Sequence, residues 1–243
     1  FQGKWKDFTV KQAANEVRKM AAVLQSYNLP PQSKIALVSK NCAHWLIADL
    51  AIMMAGHISV PVYPNVGAET LNYVLKHSEA KILFVGKLDD WNFMKAGLTP
   101  EVNCISFPWY GPKQDGFQYW EDLVKEQAPL IGNPNRTLDD VMTIIYTSGT
   151  TGNPKGVIMT HEMFNEGMRI HTIRLKSMSD QDISLAFLPL THVFERTWCY
   201  FLLFTGATNY INHRPAEIQQ TIRDVRPTLM CAVPRLWEKV YIG

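Results

Sequence analysis

Tyr146-Thr147-Ser148-Gly149-Thr150-Thr151-Gly152-Asn153-Pro154-Lys155-Gly156 decides how this chain folds and what it can hold. Three glycines, four aliphatic hydroxyls and one lysine follow directly on Val141-Met142-Thr143-Ile144-Ile145, an apolar run that reads as a buried strand. Such a composition suits a polyphosphate. Glycines admit positive φ and let backbone N–H groups approach anionic oxygens, the hydroxyls donate hydrogen bonds, and Lys155 adds a mobile positive charge. Asn153-Pro154-Lys155-Gly156 fits a type I turn, proline second and glycine fourth, which predicts Lys155 at a fixed tip.

A Walker-type phosphate loop needs a glycine, four residues and then Gly-Lys-Ser/Thr. Counting five on from Gly149 reaches Pro154, and Gly156 follows the lysine, so that reading fails. Gly156-Val157-Ile158-Met159 reads as a second strand. A helix begins only at Thr160, as an N-cap with Glu162 in the first turn. The loop therefore joins strand to strand.

The run from Tyr146 to Val157 resembles the signature phosphate loop of the adenylate-forming superfamily: acyl-CoA synthetases, luciferases and the adenylation domains of peptide synthetases. Met54-Ala55-Gly56-His57-Ile58-Ser59-Val60-Pro61 resembles a second superfamily segment, with methionine in place of its usual lysine; Gly56 is expected to end a helix and Pro61 to sit at a strand edge. Pro189-Leu190-Thr191-His192-Val193-Phe194-Glu195-Arg196 resembles the motif in which an aromatic or histidine heading a helix borders the acyl pocket. Its form, like that of Ala232-Val233-Pro234-Arg235-Leu236-Trp237-Glu238-Lys239, is most similar to long-chain fatty acyl-CoA synthetases.

The resemblance implies that a carboxylate attacks the α-phosphorus of ATP, releasing pyrophosphate, and that the thiol of coenzyme A then attacks the acyl-adenylate, leaving AMP. On this chain it places Thr147, Ser148, Gly149, Thr150, Thr151, Gly152 and Lys155 on the nucleotide, Thr147 also at Mg²⁺, and Lys155 and His192 in catalysis. Glu195 and Arg196 stand evenly between function and helix-start stabilisation, with Thr191 able to cap the helix. Arg235 is expected to be a surface arginine. The resemblance further implies that a second magnesium ligand, a ribose-binding aspartate, the hinge and a small C-terminal domain with a catalytic lysine fall outside the sequence, so that this piece alone is expected to be inactive or nearly so. Alternatives stay open: adenylation of an aryl, short-chain or amino-acid carboxylate, or a non-catalytic nucleotide-binding module. A kinase would release ADP instead of AMP.

With 243 residues and 47% hydrophobic content, the chain can bury a substantial core. Its 24 basic and 22 acidic residues, without a basic run, leave no footprint for nucleic acid. Cys42, Cys104, Cys199 and Cys231 are far apart and lack metal-ligand spacing, which suggests reduced core thiols in a cytoplasmic protein; peripheral membrane association and oligomeric state are left open. The apolar stretch Trp45 to Tyr63 is broken by Asp49, Gly56 and His57, so it reads as helix plus strand and not as a span.

Phe1-Gln2-Gly3 resembles a tag remnant. Helices are expected near 10–24, 43–55, 68–77 and 216–223 and from Pro234, and strands at 35–39, 59–63, 81–85, 183–188, 208–211 and 228–233. In the first helix Ala14, Val17, Ala21 and Leu24 form the apolar stripe. The alternation predicts an α/β fold of doubly wound, mostly parallel sheets with flanking helices, which by resemblance is the N-terminal portion of the synthetase large domain. The Gly132-Asn133-Pro134-Asn135 cluster marks an expected boundary between subdomains 4–132 and 133–243.

Overall fold

A computed structural model describes residues 5–147, 152–212 and 214–242. The chain divides into two compact units, Phe1–Glu162 and Met163–Gly243. The division falls after the Gly132–Asn135 cluster because the two strands that follow the cluster pair into the sheet of the first unit.

In order, the first unit contains α1 (Val10–Ser26), β1 (Lys34–Val38), α2 (Ala43–Met54), β2 (Ile58–Val62), α3 (Ala68–Ser78), β3 (Ile82–Val85), β4 (Asn103–Ser106), β5 (Gln118–Tyr119), α4 (Trp120–Lys125), β6 (Val141–Thr147) and β7 (Lys155–Thr160). The start of α1 is fixed by a capping box. Thr9 Oγ1 accepts the Gln12 N–H at 3.1 Å, and Gln12 Oε1 accepts the Thr9 N–H at 2.8 Å. Its buried stripe is Val17, Met20, Ala21, Val23 and Leu24, whereas Ala14 is exposed, so the apolar face is rotated from the expected one. Gly56 ends the turn after α2 at φ +93°, a conformation that an L side chain would strain.

The strands form one seven-stranded sheet in the order β5-β4-β3-β1-β2-β6-β7. All neighbours are parallel except β6 and β7. The chain steps from β1 to β2 and then crosses back past β1 to β3. Right-handed crossovers therefore put α2 and α3 on opposite faces. Leu71, Val74 and Leu75 of α3 pack with Ala36, Val38, Val60 and Val62 on one face. On the other, α1 lies on α2, and the rings of Phe84, Phe107 and Trp120 meet edge-on or tilted within 5.9 Å. Both faces are covered, so β1, β2 and β3 are apolar and buried almost throughout.

Pro61 is not at an edge. It sits in β2 between β1 and β6, in register with Leu37. The β2–β6 ladder is a single pair, Ser59↔Thr143, where Thr143 Oγ1 donates to the Ser59 carbonyl at 2.8 Å. Residues two apart present their backbone groups to the same neighbour, so the N–H that Pro61 lacks would have faced β6, where the ladder has already stopped.

The second unit, which α5 (His161–Arg174) leads into, holds β8 (Ile183–Ala186), α6 (Val193–Thr205), β9 (Thr208–Ile211), α7 (Ile218–Val225) and α8 (Pro234–Ile242). β8 and β9 form a parallel pair. The expected strand at 228–233 is reduced to one isolated bridge, Ser184↔Leu229. All four cysteines are free and buried. Among the described residues, no helix is long and apolar enough to cross a membrane.

Candidate active site

β6 and β7 are the two arms of an antiparallel hairpin, and the glycine-rich loop lies between them. Thr147 is the last residue of β6 and Lys155 the first of β7, and they are direct cross-strand partners. Lys155 is thus not at the tip of a turn. The run Asn153-Pro154-Lys155-Gly156 enters a strand, because Lys155 and Gly156 pair with Thr147 and Tyr146. Directly opposed residues in an antiparallel pair project from the same face with Cβ atoms about 5 Å apart. A hydroxyl and an ammonium, both exposed, therefore stand side by side where β6 leaves the core. Gly152 takes φ +131°, as a glycine permits. Ser148, Gly149, Thr150 and Thr151 lie outside the described residues.

One residue back, the geometry is that of a lock. Tyr146 is buried and its hydroxyl pairs with His77 Nδ1 at 2.7 Å. The His77 ring stacks on Tyr73 at 5.2 Å, and Tyr146 meets both rings edge-on. Burial, followed by the neighbouring Tyr73, raises the Tyr146 pKa, so the phenol keeps its proton. Across the hairpin a Cβ on Gly156 would lie 2.9 Å from Ile144 Cγ2 and 3.3 Å from Tyr146 Cζ. Glycine is required there because the Tyr146 ring lies over it. Neither His77 nor Tyr73 was singled out from the sequence; the available signal was an aromatic paired with a glycine at the hairpin base.

β1, β2, β3 and β6 end at the same edge of the sheet, the edge at which open α/β sheets bind ligands. Open cavities of about 870 and 580 Å³ in the first unit include neither Thr147 nor Lys155 among their lining residues. Among the described residues no cluster of three or more His, Cys, Asp or Glu could hold a metal.

In the second unit His192, and not Thr191, is the N-cap of α6. Its Nδ1 accepts the Phe194 N–H at 3.2 Å, which leaves the exposed ring's Nε2 free to carry the proton. Thr191 is buried. Glu195 and Arg196 are fully buried. The Arg196 guanidinium lies over the Phe164 ring at 5.3 Å and near Tyr200 at 5.9 Å. Neither carboxylate oxygen of Glu195 has a hydrogen-bond partner. Burial pushes its pKa up to about 8, with the backbones of Leu188 and Phe187 opposing the shift. A carboxyl that is mostly protonated at neutral pH is no charged helix-start stabiliser. Arg235 is exposed, as expected.

A family model described as AMP-binding enzyme matches residues 1–241. The chain belongs to the AMP-binding enzyme family. Similar to this chain are long chain acyl-CoA synthetase 1 of Arabidopsis thaliana, 28% identical over 98% of this chain, and fatty acyl-CoA synthetase A of Dictyostelium discoideum, 27% identical over 99%. The chain spans 38% of the length of each of these relatives. The fold is shared with the anthranilate CoA ligase AuaEII in complex with anthranoyl-AMP (TM-score 0.83, 19% identity, 94% of this chain and 46% of that one). It is shared also with a benzoate CoA ligase of Burkholderia xenovorans (TM-score 0.80, 20% identity, 92% and 44%).

Proposed function

We propose that the whole protein activates a long-chain fatty acid at the expense of ATP, through an acyl-adenylate, and transfers the acyl group to coenzyme A with release of AMP and pyrophosphate. The observation that carries this reading is the Thr147–Lys155 pair, held on one face of a hairpin at the carboxyl edge of a parallel sheet. The names of the relatives, a long chain and a fatty acyl-CoA synthetase, support the acyl class.

In adenylation, negative charge accumulates on the departing β,γ-phosphates. Groups already positioned where that charge appears lower the barrier, because no reorganisation is needed at the moment of reaction. Lys155 supplies a full positive charge and Thr147 a hydroxyl donor, at a spacing set by strand register. Both donors fit phosphate oxygens. Thr147 is also the described side chain suited to a phosphate-bound Mg²⁺, which when present neutralises charge on the leaving group. His192, with Nδ1 committed to the cap, keeps Nε2–H available, which suits the acyl-pocket role that its motif implies. The Tyr146–His77 lock keeps the hairpin from slipping while these charges change.

Lys155→Ala in the full-length enzyme tests the proposal. Loss of a charge-assisted contact of roughly 1.5–3 kcal/mol slows ATP–pyrophosphate exchange roughly 10- to 150-fold, with little change in fatty-acid affinity. Unchanged exchange removes Lys155 from the reaction and the reading with it.

A further inference from the structure

The first unit carries a second polar site, on the opposite edge of the sheet from Thr147. An open cavity of about 580 Å³ is bordered by the residue preceding β2, His57, and by Asn135 and Arg136, which precede β6. Leu29 and Pro134 give it an apolar wall, and none of its lining residues is acidic. β6 separates it from Thr147 by roughly 20 Å, at about 3.3 Å per residue.

Arg136 is the telling residue. Its outer nitrogen Nη1 lies 3.7 Å from Asp140 Oδ2, a loose contact. The Asp140 carboxylate is already engaged elsewhere, accepting the Thr137 N–H at 3.0 Å and the Gln32 amide at 3.3 Å. The other edge of the guanidinium, Nε and Nη2, is buried and has no hydrogen-bond partner. Those two nitrogens are the planar fork that binds two oxygens of one carboxylate or phosphate at once. His57, only 4% exposed, adds a ring nitrogen, Nδ1, that is likewise buried and unpartnered. Burial, aided by the Arg136 charge, holds its pKa below the usual value, so the ring is neutral and can orient either a donor or an acceptor. Gly56 brings backbone rather than side chain against the fork, since a Cβ there would stand 3.6 Å from Nη2. Buried polar atoms left unpaired are costly; two guanidinium donors and one ring nitrogen border this cavity unpaired, while Asp140 stands at the other edge of the guanidinium.

We infer that this cavity is a binding site for a small oxyanion-bearing ligand, one whose phosphate or carboxylate head is gripped by the Nε–Nη2 edge of Arg136 beside His57. It is separate from the nucleotide loop and uses none of its residues.

The test follows the Arg136 Nε–H and the Gly56 amide by heteronuclear NMR in the protein. Inorganic phosphate is titrated in one arm and malonate in another, against sodium chloride at matched ionic strength. The expected result is a saturable shift of both resonances in at least one arm, present also in Lys155→Ala. The arm that saturates at lower concentration names the head group. Arg136→Lys keeps the charge but lacks the fork, and should weaken the response at least about tenfold. Shifts equal to those in sodium chloride, shifts confined to Gly152 and Lys155, or undiminished binding by a folded Arg136→Lys each overturn the site. Should that variant fail to fold, the wild-type titration decides alone. Neither outcome bears on pyrophosphate exchange, so the two proposals stand or fall separately.

Discussion

Glu195→Gln should change how the second unit responds to pH. Glu195 is fully buried, neither carboxylate oxygen has a partner, and its pKa is pushed from 4.5 to about 8. Because the folded value lies above the unfolded one, the native state holds the extra proton between about pH 4.5 and 8. Stability on this account is complete below 4.5, falls through that window and levels off above 8. One pH unit is worth about 1.4 kcal/mol, so the drop is on the order of 3–5 kcal/mol across the window. Gln cannot ionise and lacks this slope. Urea denaturation followed by the fluorescence of buried Trp198, run from pH 5 to 8.5 on both proteins, reads the difference. The gap should shift in favour of the glutamine variant by more than about 2 kcal/mol between the ends of that range. A constant gap would show that Glu195 is ionised in the native state, and would refute the account of the helix start given above.

His44 gives the opposite limb in the first unit. Its ring lies among Phe8, Trp109 and Trp120, and burial, aided by Lys6, lowers its pKa from 6.5 to about 4. That stability is present above pH 6.5 and is lost as pH falls toward 4, so His44→Phe should retain more of its neutral-pH stability at pH 4.5 in an acid titration of melting temperature. Gly156→Ala forces Ile144 and the Tyr146 ring apart and should destabilise by roughly 1–3 kcal/mol in chemical denaturation; a change within experimental error means that the hairpin is loosely packed. Gly97→Ala places a methyl 2.1 Å from the Ala68 carbonyl oxygen and should cost at least as much, whereas Gly116→Ala meets no atom within 4 Å and tests only the strain of φ +83°.

The sheet could be read in advance because its strands are buried on both faces. Runs such as Ile82-Leu83-Phe84-Val85 have no alternative use between helices of the right period. The strand-to-strand character of the glycine loop was legible for a different reason: β7 is a largely exposed edge strand, yet Val157, Ile158 and Met159 continue as apolar residues where a helix start would need a cap. Local pattern failed where a partner decides. Pro61 looked like an edge residue, yet it is tolerated inside the sheet because the ladder on one side ends at Ser59. The run at 228–233 has strand composition, yet it meets β8 in a single bridge, because composition does not say how far a neighbour's free edge is matched. Asn153 to Gly156 has turn chemistry that cross-strand pairing overrides. The charge state of Glu195 was out of reach because an acidic residue in a first turn looks the same whether it faces water or core. The pairing of Tyr146 with His77 spans 69 positions, a separation at which sequence pattern says nothing.

Seating the lysine on a strand, and not on the loop, has a consequence for how the loop can vary. Side chains alternate faces along β7, so a slip of one residue between the arms would turn Lys155 away from Thr147 altogether. Insertions between them would leave that pair untouched as long as the tyrosine over Gly156 keeps the arms aligned. The loop can therefore be lengthened without displacing the charge that the proposed function assigns to the leaving group, whereas a single residue added below Tyr146 would shift the register and part the pair.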